Sequence, residues 1–222
     1  ARGTVGLSTA LGSALLLAGL ALSGGHLLGA GVLACVVVYL VNNLLYCFWL
    51  KHKAIFDALS IALGFCLRVC AGVYAVGDLP TTWITLCTFF LAGFLGFSKR
   101  RVELAGLLGN SKLDEDHHVP DQRPVLSKYS VPFLDHLVNS SAIMAVVCYA
   151  LFTTSSGKNP SLVITVPIVF YAVTHYQRLV MLLDSGEEPD RVLLKDQGIQ
   201  ASLALWLIAY FGLTYGNLRW FR

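Results

Sequence analysis

The chain has 222 residues, of which 56% are hydrophobic and only 13% are charged, and its formal net charge is +3. Soluble domains carry about 25% charged residues, so this composition excludes an ordinary water-soluble domain, a disordered chain and a disulfide-stapled secreted domain. It predicts an all-α fold, a polytopic bundle of helices that cross a membrane several times. The basic residues form no continuous stripe, so no nucleic-acid partner is expected.

Seven stretches of the chain are long and apolar enough to cross the hydrocarbon core, which takes about 20 residues. We expect one transmembrane domain over 1–222, without a cleaved secretory signal. Glycine predicts a tight turn at Gly24–His26, and longer polar loops are predicted over 98–131 and 184–196. The predicted spans cover residues 4–23, 28–50, 54–77, 80–97, 132–153, 161–183 and 197–217.

Lysine and arginine are distributed unevenly between the two ends of these spans. If Arg2 lies on the cytoplasmic side, twelve of the sixteen Lys and Arg residues lie on that side. Three lie on the other side, Lys158, Arg219 and Arg222, and Arg68 lies within a span. The positive-inside rule then places both long loops in the cytoplasm.

Two ionisable side chains, Asp57 and Arg68, lie within the third predicted span. They are eleven residues apart, which is about 16 Å along a helix axis. Such residues are costly in a membrane and are therefore candidates for function. Arg68 is interpreted either as a lock between two helices or as a cation that lines a cavity. Tyr46 and Lys51, near the end of the second span, are candidates for a site at its cytoplasmic mouth.

The densest group of charges is the run from Ser98 to Leu104. Lys99 and Glu103 are four residues apart and share one helix face, and the two arginines between them project to other faces. The run suits either the ordinary basic flank of a span or a binding site. A loop of about 30 residues follows, and loops of this length are usually functional or disordered, which favours a site.

Candidate metal ligands are sparse. The six cysteines lie in apolar runs without the spacing of a zinc site, so we expect them to pack as small hydrophobic side chains. The run Asp114–His118 has side chains that suit a divalent ion, but its polar surroundings favour a solvated loop tip. No residue of the chain is therefore predicted to be a metal ligand.

Further charged side chains are predicted on the cytoplasmic side. Asp135 is expected in the first turn of the fifth span, where an anion suits the helix dipole. Arg binds phosphate oxygens bidentately and Lys binds them as a point charge. The cations therefore predict a polyanionic ligand from the cytoplasm and a lipid partner from the bilayer. The basic side chains that we expect to converge are Lys51, Arg68, Lys99, Arg100, Arg101, Arg123, Arg178 and Lys195.

Several motifs resemble a known family. Tyr46–His52 followed by Asp57, together with Gly64–Gly72, resembles the UbiA superfamily of intramembrane transferases. Other motifs are similar to its decaprenyl-phosphate phosphoribosyltransferase (5-phosphoribosyl-monophospho-decaprenol synthase) branch, and the resemblance covers nearly the whole chain. These motifs are Cys87–Ala92 with Ser98–Leu104, Gln122–Leu126 with Tyr129 and Leu134–Asp135, and Gly186–Pro189 with Leu193–Asp196.

The family that the chain resembles has nine spans and an Asn-Asp…Asp…Asp motif after the second span. The opening Ala1–Ser8 resembles the segment just after that motif, so we expect the first two helices and their metal-binding carboxylates to be missing here. The resemblance implies Mg²⁺ as cofactor, with its main ligands in that motif. In prenyl-transferring relatives a second Asp-rich motif lies where this chain has Lys99–Glu103, and the change to cations suits a phosphate-bearing substrate.

The activity that the resemblance implies is transfer of 5-phosphoribose from phosphoribosyl pyrophosphate to a polyprenyl (decaprenyl) phosphate. Pyrophosphate would be released, and the product would lead toward the arabinan precursors of cell-wall arabinogalactan. The implied location is the inner (plasma) membrane, as a multi-pass protein with its active face toward the cytoplasm. A homo-oligomer is a further expectation, and a chain without the first two helices would be inactive if they are essential.

The resemblance also implies roles for individual residues. Tyr46 and Tyr129 would position the substrates. Arg68, Arg178, Lys195 and Asp196 are further substrate-binding candidates. The expected phosphate ligands are Lys51, Lys99, Arg100, Arg101 and Arg123, and the carboxylates expected to orient them or to contact ribose are Asp57, Glu103 and Asp135.

Two alternative functions stay open. One is prenyl transfer from a polyprenyl diphosphate to an aromatic acceptor, which needs a second acidic motif where Lys99–Glu103 is mostly basic. The other is a transporter or a non-catalytic membrane protein, for which inverted repeats or helices broken near the midplane are typical. Neither pattern is clear in this sequence.

Overall fold

All secondary structure in the described residues of the computed structural model is helical or turn, and these residues are 6–110, 125–155, 159–182 and 195–215. With a short 3-10 turn at Pro160–Thr165 counted into the sixth helix, seven helices are long and apolar enough to cross a membrane. The predicted all-α fold is confirmed, and the chain is a multi-pass membrane protein. The helices are α1 (Leu7–Leu28), α2 (Ala30–Phe48), α3 (Phe56–Ala75), α4 (Thr82–Asn110), α5 (Val131–Thr153), α6 (Val166–Leu182) and α7 (Gln197–Tyr215).

Helix α1 continues through Gly24 and Gly25, where the sequence predicts a turn. A Cβ atom on Gly25 would lie 3.3 Å from the Cα of Leu33, so this glycine lets α1 and α2 approach closely. The chain reverses instead at Gly29, whose φ of 120° is open to glycine and strained for other residues. The turn prediction was wrong because Gly25 is buried in the contact between α1 and α2, whereas nothing lies within 4 Å of the Cβ position of Gly24.

Helix α4 is longer than predicted. It runs to Asn110, so the first part of the loop predicted over 98–131 is helical. Val102 and Leu104 are buried, and their packing supports the added turns. Residues 111–124 of that predicted loop lie outside the described residues. So does most of the loop predicted over 184–196.

Each helix packs chiefly against its neighbours in the chain, and α4 also contacts α6. The central core lies where α3, α4, α5 and α6 meet, around Phe94, Leu134, Val138 and Val180. At one end of this series, α1 is almost wholly exposed. The end of the bundle at which α3 and α5 begin and α4 and α6 end is called the basic end below.

Candidate functional site

Asp57 lies at the centre of a buried ion-pair cluster at the basic end. It is the second residue of α3 and is only 1% exposed. Its Oδ2 accepts a hydrogen bond from Nε of Arg100 at 2.6 Å, and its Oδ1 accepts one from the Tyr129 hydroxyl at 2.8 Å. Arg100 also donates through Nη1 to Glu103 at 2.9 Å. Four predicted site residues therefore form one connected network.

Arg101 connects three helices beside this network. Its Nε donates to Oδ1 of Asp135 on α5 at 3.1 Å, and its Nη1 donates to the carbonyl oxygen of Val180 on α6 at 2.8 Å. The side chain is buried, whereas Asp135 is half-buried. Arg101 thus points away from the partners of Arg100, as expected for adjacent residues on a helix.

The two arginines do not act as bare cations. Three carboxylates surround these two guanidinium groups, so the ion pairs by themselves carry no positive surplus. Asp135 is the fifth residue of α5 and lies beyond its first turn, which corrects the sequence prediction. Its carboxylate orients Arg101 instead of capping the helix, and Ser130 accepts the capping hydrogen bond from the backbone of Phe133.

The arrangement fixes the direction of the Arg100 guanidinium. Asp57 and Glu103 engage Nε and Nη1, and within the described residues Nη2 makes no hydrogen bond. An arginine held by two carboxylates keeps a fixed orientation, so donors that remain can meet an incoming anion without reordering the side chain. Lys99, one residue earlier on α4, is half-buried and adds a further positive charge.

The turn between α2 and α3 is held against this cluster by the segment that precedes α5. The backbone N–H of Ile55 donates to the Tyr129 hydroxyl at 2.5 Å, and Nζ of Lys128 donates to the carbonyl oxygen of His52 at 3.0 Å. Ile55 has a φ of 71°, which is costly for a β-branched residue. Burial raises the pKa of Tyr129, so the phenol stays protonated while it bridges Ile55 and Asp57.

The same turn carries exposed cations. Lys51 lies in the 3-10 turn Leu50–His52 and is exposed, whereas Tyr46, near the end of α2, is half-buried. Lys53 packs over the Trp49 ring with Nζ at 3.5 Å from the ring centroid. Lys51 therefore shortly precedes Asp57 in the sequence, and its side chain is accessible to solvent.

Asp196 forms a second polar group at the start of α7. Its Oδ1 accepts a hydrogen bond from the backbone N–H of Ile199 at 2.9 Å and lies 3.0 Å from Nε2 of His175. These contacts lower the pKa of Asp196, the backbone hydrogen bond contributing most. Lys195 and Arg178 are exposed. Asp196 thus caps the N-terminus of α7.

Two predicted site residues need separate mention. Arg123 lies outside the described residues. Arg68 lies three turns from Asp57 along α3 and makes its contacts with Tyr39 of α2 and with Phe65. The expectation that Arg68 converges with the other cations is therefore wrong, because its position along α3 places it in the middle of the span.

Sequence reasoning did not identify some residues that shape this site. The strained Ile55 and the carbonyl oxygen of Val180 carry no sequence signal, because any residue can offer a backbone group. Tyr39 had a detectable signal, since a tyrosine in the middle of a span needs a partner for its hydroxyl.

The described residues do not form a Mg²⁺ site by themselves. Within them, no group of three or more His, Cys, Asp or Glu side chains is close enough to hold a metal ion. The three carboxylates of the cluster are each bound to a guanidinium group, which competes with a cation for their oxygens.

Comparison with curated proteins identifies relatives of the chain. It is 30% identical over 191 residues to a decaprenyl-phosphate phosphoribosyltransferase of Mycolicibacterium smegmatis, a match that covers 81% of this chain and 57% of the relative. The protein of the same name in Corynebacterium glutamicum is 29% identical over 222 residues, covering 97% of this chain and 64% of the relative. The one in Mycobacterium tuberculosis is 25% identical over 193 residues, covering 84% of this chain and 59% of the relative.

No family model matches the chain. The chain spans about three fifths of the length of the curated relatives that it matches. Within that span the similarity extends over most of the chain, including the helices that build the ion-pair cluster. The resemblance that the motifs predicted is thus confirmed: the chain is similar over most of its length to decaprenyl-phosphate phosphoribosyltransferases.

Proposed function

We propose that this chain acts in a membrane-embedded transfer of 5-phosphoribose from phosphoribosyl pyrophosphate to a decaprenyl phosphate. The observation that carries the proposal is the pair of buried, carboxylate-oriented arginines at the basic end of a chain similar to phosphoribosyltransferases. Both substrates are phosphate esters, so oriented guanidinium and ammonium groups suit each of them.

In the proposed reaction, an oxygen of the lipid phosphate attacks the anomeric carbon of the donor. The bond from that carbon to the pyrophosphate oxygen breaks, and pyrophosphate leaves with the bonding electron pair. A phosphate oxygen is already ionised at neutral pH, so the attack needs no strong general base. The protein contributes alignment of the two substrates and stabilisation of the negative charge that moves to the leaving group.

The described residues divide into phosphate ligands and residues that orient them. We assign Lys51, Lys99 and the Nη2 group of Arg100 to phosphate oxygens, because the first is exposed and the others lie on one turn of α4. The other predicted residues act around them. Arg101, Glu103, Asp57, Asp135 and Tyr129 hold the cluster in place, Tyr46 positions the substrates, and Arg123, Arg178, Lys195 and Asp196 are peripheral contacts.

The proposed setting is the inner (plasma) membrane, with the basic end toward the cytoplasm. The positive-inside rule supports this orientation, because all Lys and Arg residues in the described part of the chain except Arg68 lie at or near the basic end. The water-soluble donor then arrives from the cytoplasm and the lipid acceptor from the bilayer. We further propose Mg²⁺ as a cofactor that would neutralise the diphosphate of the donor, and the described residues alone offer no cluster of ligands for it.

The proposal is tested by pyrophosphate release in membranes from cells that express the protein from its own gene. We expect release to require both phosphoribosyl pyrophosphate and decaprenyl phosphate. Lys51→Ala and Lys99→Ala should each lower kcat/KM for the donor at least tenfold, about 1.4 kcal/mol. Lys53→Ala is the matched control, since Lys53 lies on the same turn as Lys51 but packs on Trp49. Unchanged kcat/KM in both Lys51→Ala and Lys99→Ala would reject the assignment of these ligands.

A further inference from the structure

Ile55, in the turn between α2 and α3, has a strained backbone. Its φ of 71° and ψ of −50° lie close to those of a γ-turn with positive φ, which is a rare and strained conformation. In the described part of the chain, Ile55 is the only residue other than glycine whose φ is positive. Such a conformation is costly and persists only where surrounding contacts enforce it. The contacts of Ile55 therefore show what the strained turn holds in place.

Contacts on both sides hold Ile55 in this conformation. Its backbone N–H donates to the Tyr129 hydroxyl at 2.5 Å, and its carbonyl oxygen accepts a hydrogen bond from the backbone N–H of Leu59 at 3.0 Å. Its side chain packs against the central core. The first contact joins the turn to the segment before α5, and the others join it to the first turn of α3 and to the core. The backbone at residue 55 is thus fixed from both sides.

Lys128 holds the same turn at a second point. Its Nζ donates to the carbonyl oxygen of His52 at 3.0 Å, three residues before Ile55. Because Lys128 and Tyr129 are neighbours in the chain, one short segment binds the turn at two positions. A single hydrogen bond from an exposed side chain contributes little to stability. Two bonds to backbone groups three residues apart, however, fix both the place and the direction of the turn.

The turn lies between two groups of the proposed site. Lys51, four residues before Ile55, is assigned to a phosphate oxygen. Asp57, two residues after Ile55, orients Arg100 through a hydrogen bond of 2.6 Å. The Tyr129 hydroxyl that accepts the hydrogen bond from Ile55 also donates to Asp57 at 2.8 Å. The position of Lys51 relative to the Arg100 guanidinium therefore depends on how this turn is held.

Glycine would form the same turn at lower cost, because it adopts positive φ without strain. Isoleucine instead contributes a side chain that packs against the core and a backbone with few other allowed conformations. A stiff, anchored turn keeps a charged side chain near one position. An anion can then bind without first ordering the turn, which improves its affinity.

We propose that Ile55 and Lys128 are positioning residues of the proposed site, which together with Tyr129 hold the ammonium group of Lys51 beside the Arg100 guanidinium. The ligand that these two cations share is the diphosphate group of phosphoribosyl pyrophosphate, whose oxygens suit both kinds of donor. Ile55 and Lys128 do not touch this substrate and act through Lys51. The inference rests on the proposed function, because it explains how a ligand of the same site is placed.

The first test separates binding of phosphoribosyl pyrophosphate from the chemical step, in the full-length protein expressed from its own gene. Lys128→Met keeps the length of the side chain and removes the hydrogen bond to His52. We expect it to raise KM for phosphoribosyl pyrophosphate about threefold or more, while kcat and KM for decaprenyl phosphate change by less than about twofold. Lys128→Arg keeps a hydrogen-bond donor for the same carbonyl oxygen and should restore KM. An unchanged KM in Lys128→Met, with or without a change in kcat, would overturn the proposal.

The second test reports on the turn without any substrate. Trypsin cleaves after lysine, and the bond between Lys51 and His52 lies within the held turn. In detergent micelles, Lys128→Met should speed cleavage of this bond about threefold or more, because cleavage requires the turn to open. Lys128→Arg should be cleaved as slowly as the wild-type protein.

The two tests together distinguish a positioning residue from its alternatives. A higher KM in Lys128→Met without faster cleavage would show that Lys128 binds the substrate directly, which would overturn its role as a positioning residue. Faster cleavage without a higher KM would show that the turn is held for stability alone, which would also overturn the proposal.

A pair of substitutions at Ile55 separates backbone strain from packing. Ile55→Gly and Ile55→Ala both remove the side chain that packs against the core, but only glycine frees the backbone. We expect KM for phosphoribosyl pyrophosphate to be about threefold or more higher in Ile55→Gly than in Ile55→Ala. Equal KM values would overturn the role of the strained turn. Absence of pyrophosphate release by the wild-type protein would instead overturn the proposed function, and with it the contact between Lys51 and this substrate.

Discussion

The carboxylate of Asp57 neutralises Arg100 and accepts the hydrogen bond of Tyr129, so a single side chain holds α3, α4 and the start of α5 together. A buried charge that loses its partner costs more than the pair contributes to stability. The contribution of Asp57 is therefore a property of the pair and not of either residue alone.

A double-mutant cycle measures this coupling. Asp57→Asn removes the buried carboxylate of the pair and leaves Arg100 with the more exposed Glu103 as its remaining carboxylate partner among the described residues. It should lower the free energy of unfolding by about 3–5 kcal/mol. Asp57→Asn combined with Arg100→Met should cost less than the sum of the two single changes by about 2 kcal/mol. The measurement is denaturant unfolding in detergent micelles, and strictly additive losses would show that the two side chains do not interact.

Tyr129 gives the site a dependence on pH. Because burial raises the pKa of Tyr129, the folded protein holds this proton more tightly than the unfolded chain does. The stability that the phenol contributes is present below its ordinary pKa of about 10 and is lost as pH rises above it.

The matched variant is Tyr129→Phe, which keeps the ring and removes the hydroxyl. It should lower the free energy of unfolding by about 1.5–3 kcal/mol at pH 8, because a hydrogen bond to a carboxylate is lost. The difference between the two proteins should shrink between pH 10 and pH 11.5. A difference that stays constant over that range, measured by unfolding at each pH, would contradict the bridging role of the phenol.

The sequence predicted which charged residues belong to the site, but it did not predict which side chains bind one another. The run Lys99–Glu103 is visible in the sequence as a dense group of charges. That Arg100 would bind Asp57 and Arg101 would bind Asp135 was not visible, because these partners lie 43 and 34 residues away. Such pairs depend on how three helices pack, and hydropathy says nothing about which face each helix presents.

At the scale of elements, glycines decide how closely neighbouring helices approach. A Cβ atom on Gly31 would lie 2.8 Å from the ring of Tyr74, closer than real contacts allow, so α2 and α3 meet there only because residue 31 is glycine. Gly72, on α3, has nothing within 4 Å of the same position.

These two glycines form a matched pair. Gly31→Ala should push the Tyr74 ring aside and lower the free energy of unfolding by about 1–3 kcal/mol. Gly72→Ala should be neutral or stabilise the protein by up to about 1 kcal/mol, because alanine is the better helix former. The comparison is made by thermal unfolding in micelles, and an equal effect of both substitutions would show that the close contact between α2 and α3 is absent.

Length and hydropathy alone located all seven helices, since a span of about 20 apolar residues has few alternatives. Their ends were less predictable. The pair Gly24–Gly25 has the composition of a turn yet lies within α1, and α4 continues past Phe97 although the sequence becomes charged there. In both cases contacts with a neighbouring helix or ion partner outweigh the local propensity of the residues.

For the whole molecule, the distribution of charge defines two different regions. At the basic end, guanidinium groups are buried and oriented by carboxylates, and Lys51 on the turn before α3 is exposed, an arrangement that suits the proposed binding of phosphate esters. In the middle of the bundle, Arg68 lies in an apolar cleft without an acid among the described residues. From the sequence we expected the basic residues of both regions to converge at one site. They are separate because Arg68 lies three turns from Asp57 along α3.

The most direct test of the account is a transfer assay with two labels, in membranes that contain the protein expressed from its own gene. Phosphoribosyl pyrophosphate carries one label in its ribose, and a polyprenyl diphosphate carries the other in its prenyl chain, with decaprenyl phosphate and an aromatic acid as acceptors. We expect the ribose label to enter the lipid extract only when decaprenyl phosphate is present. Prenyl label on the aromatic acid, with no ribose label in the lipid, would contradict this expectation.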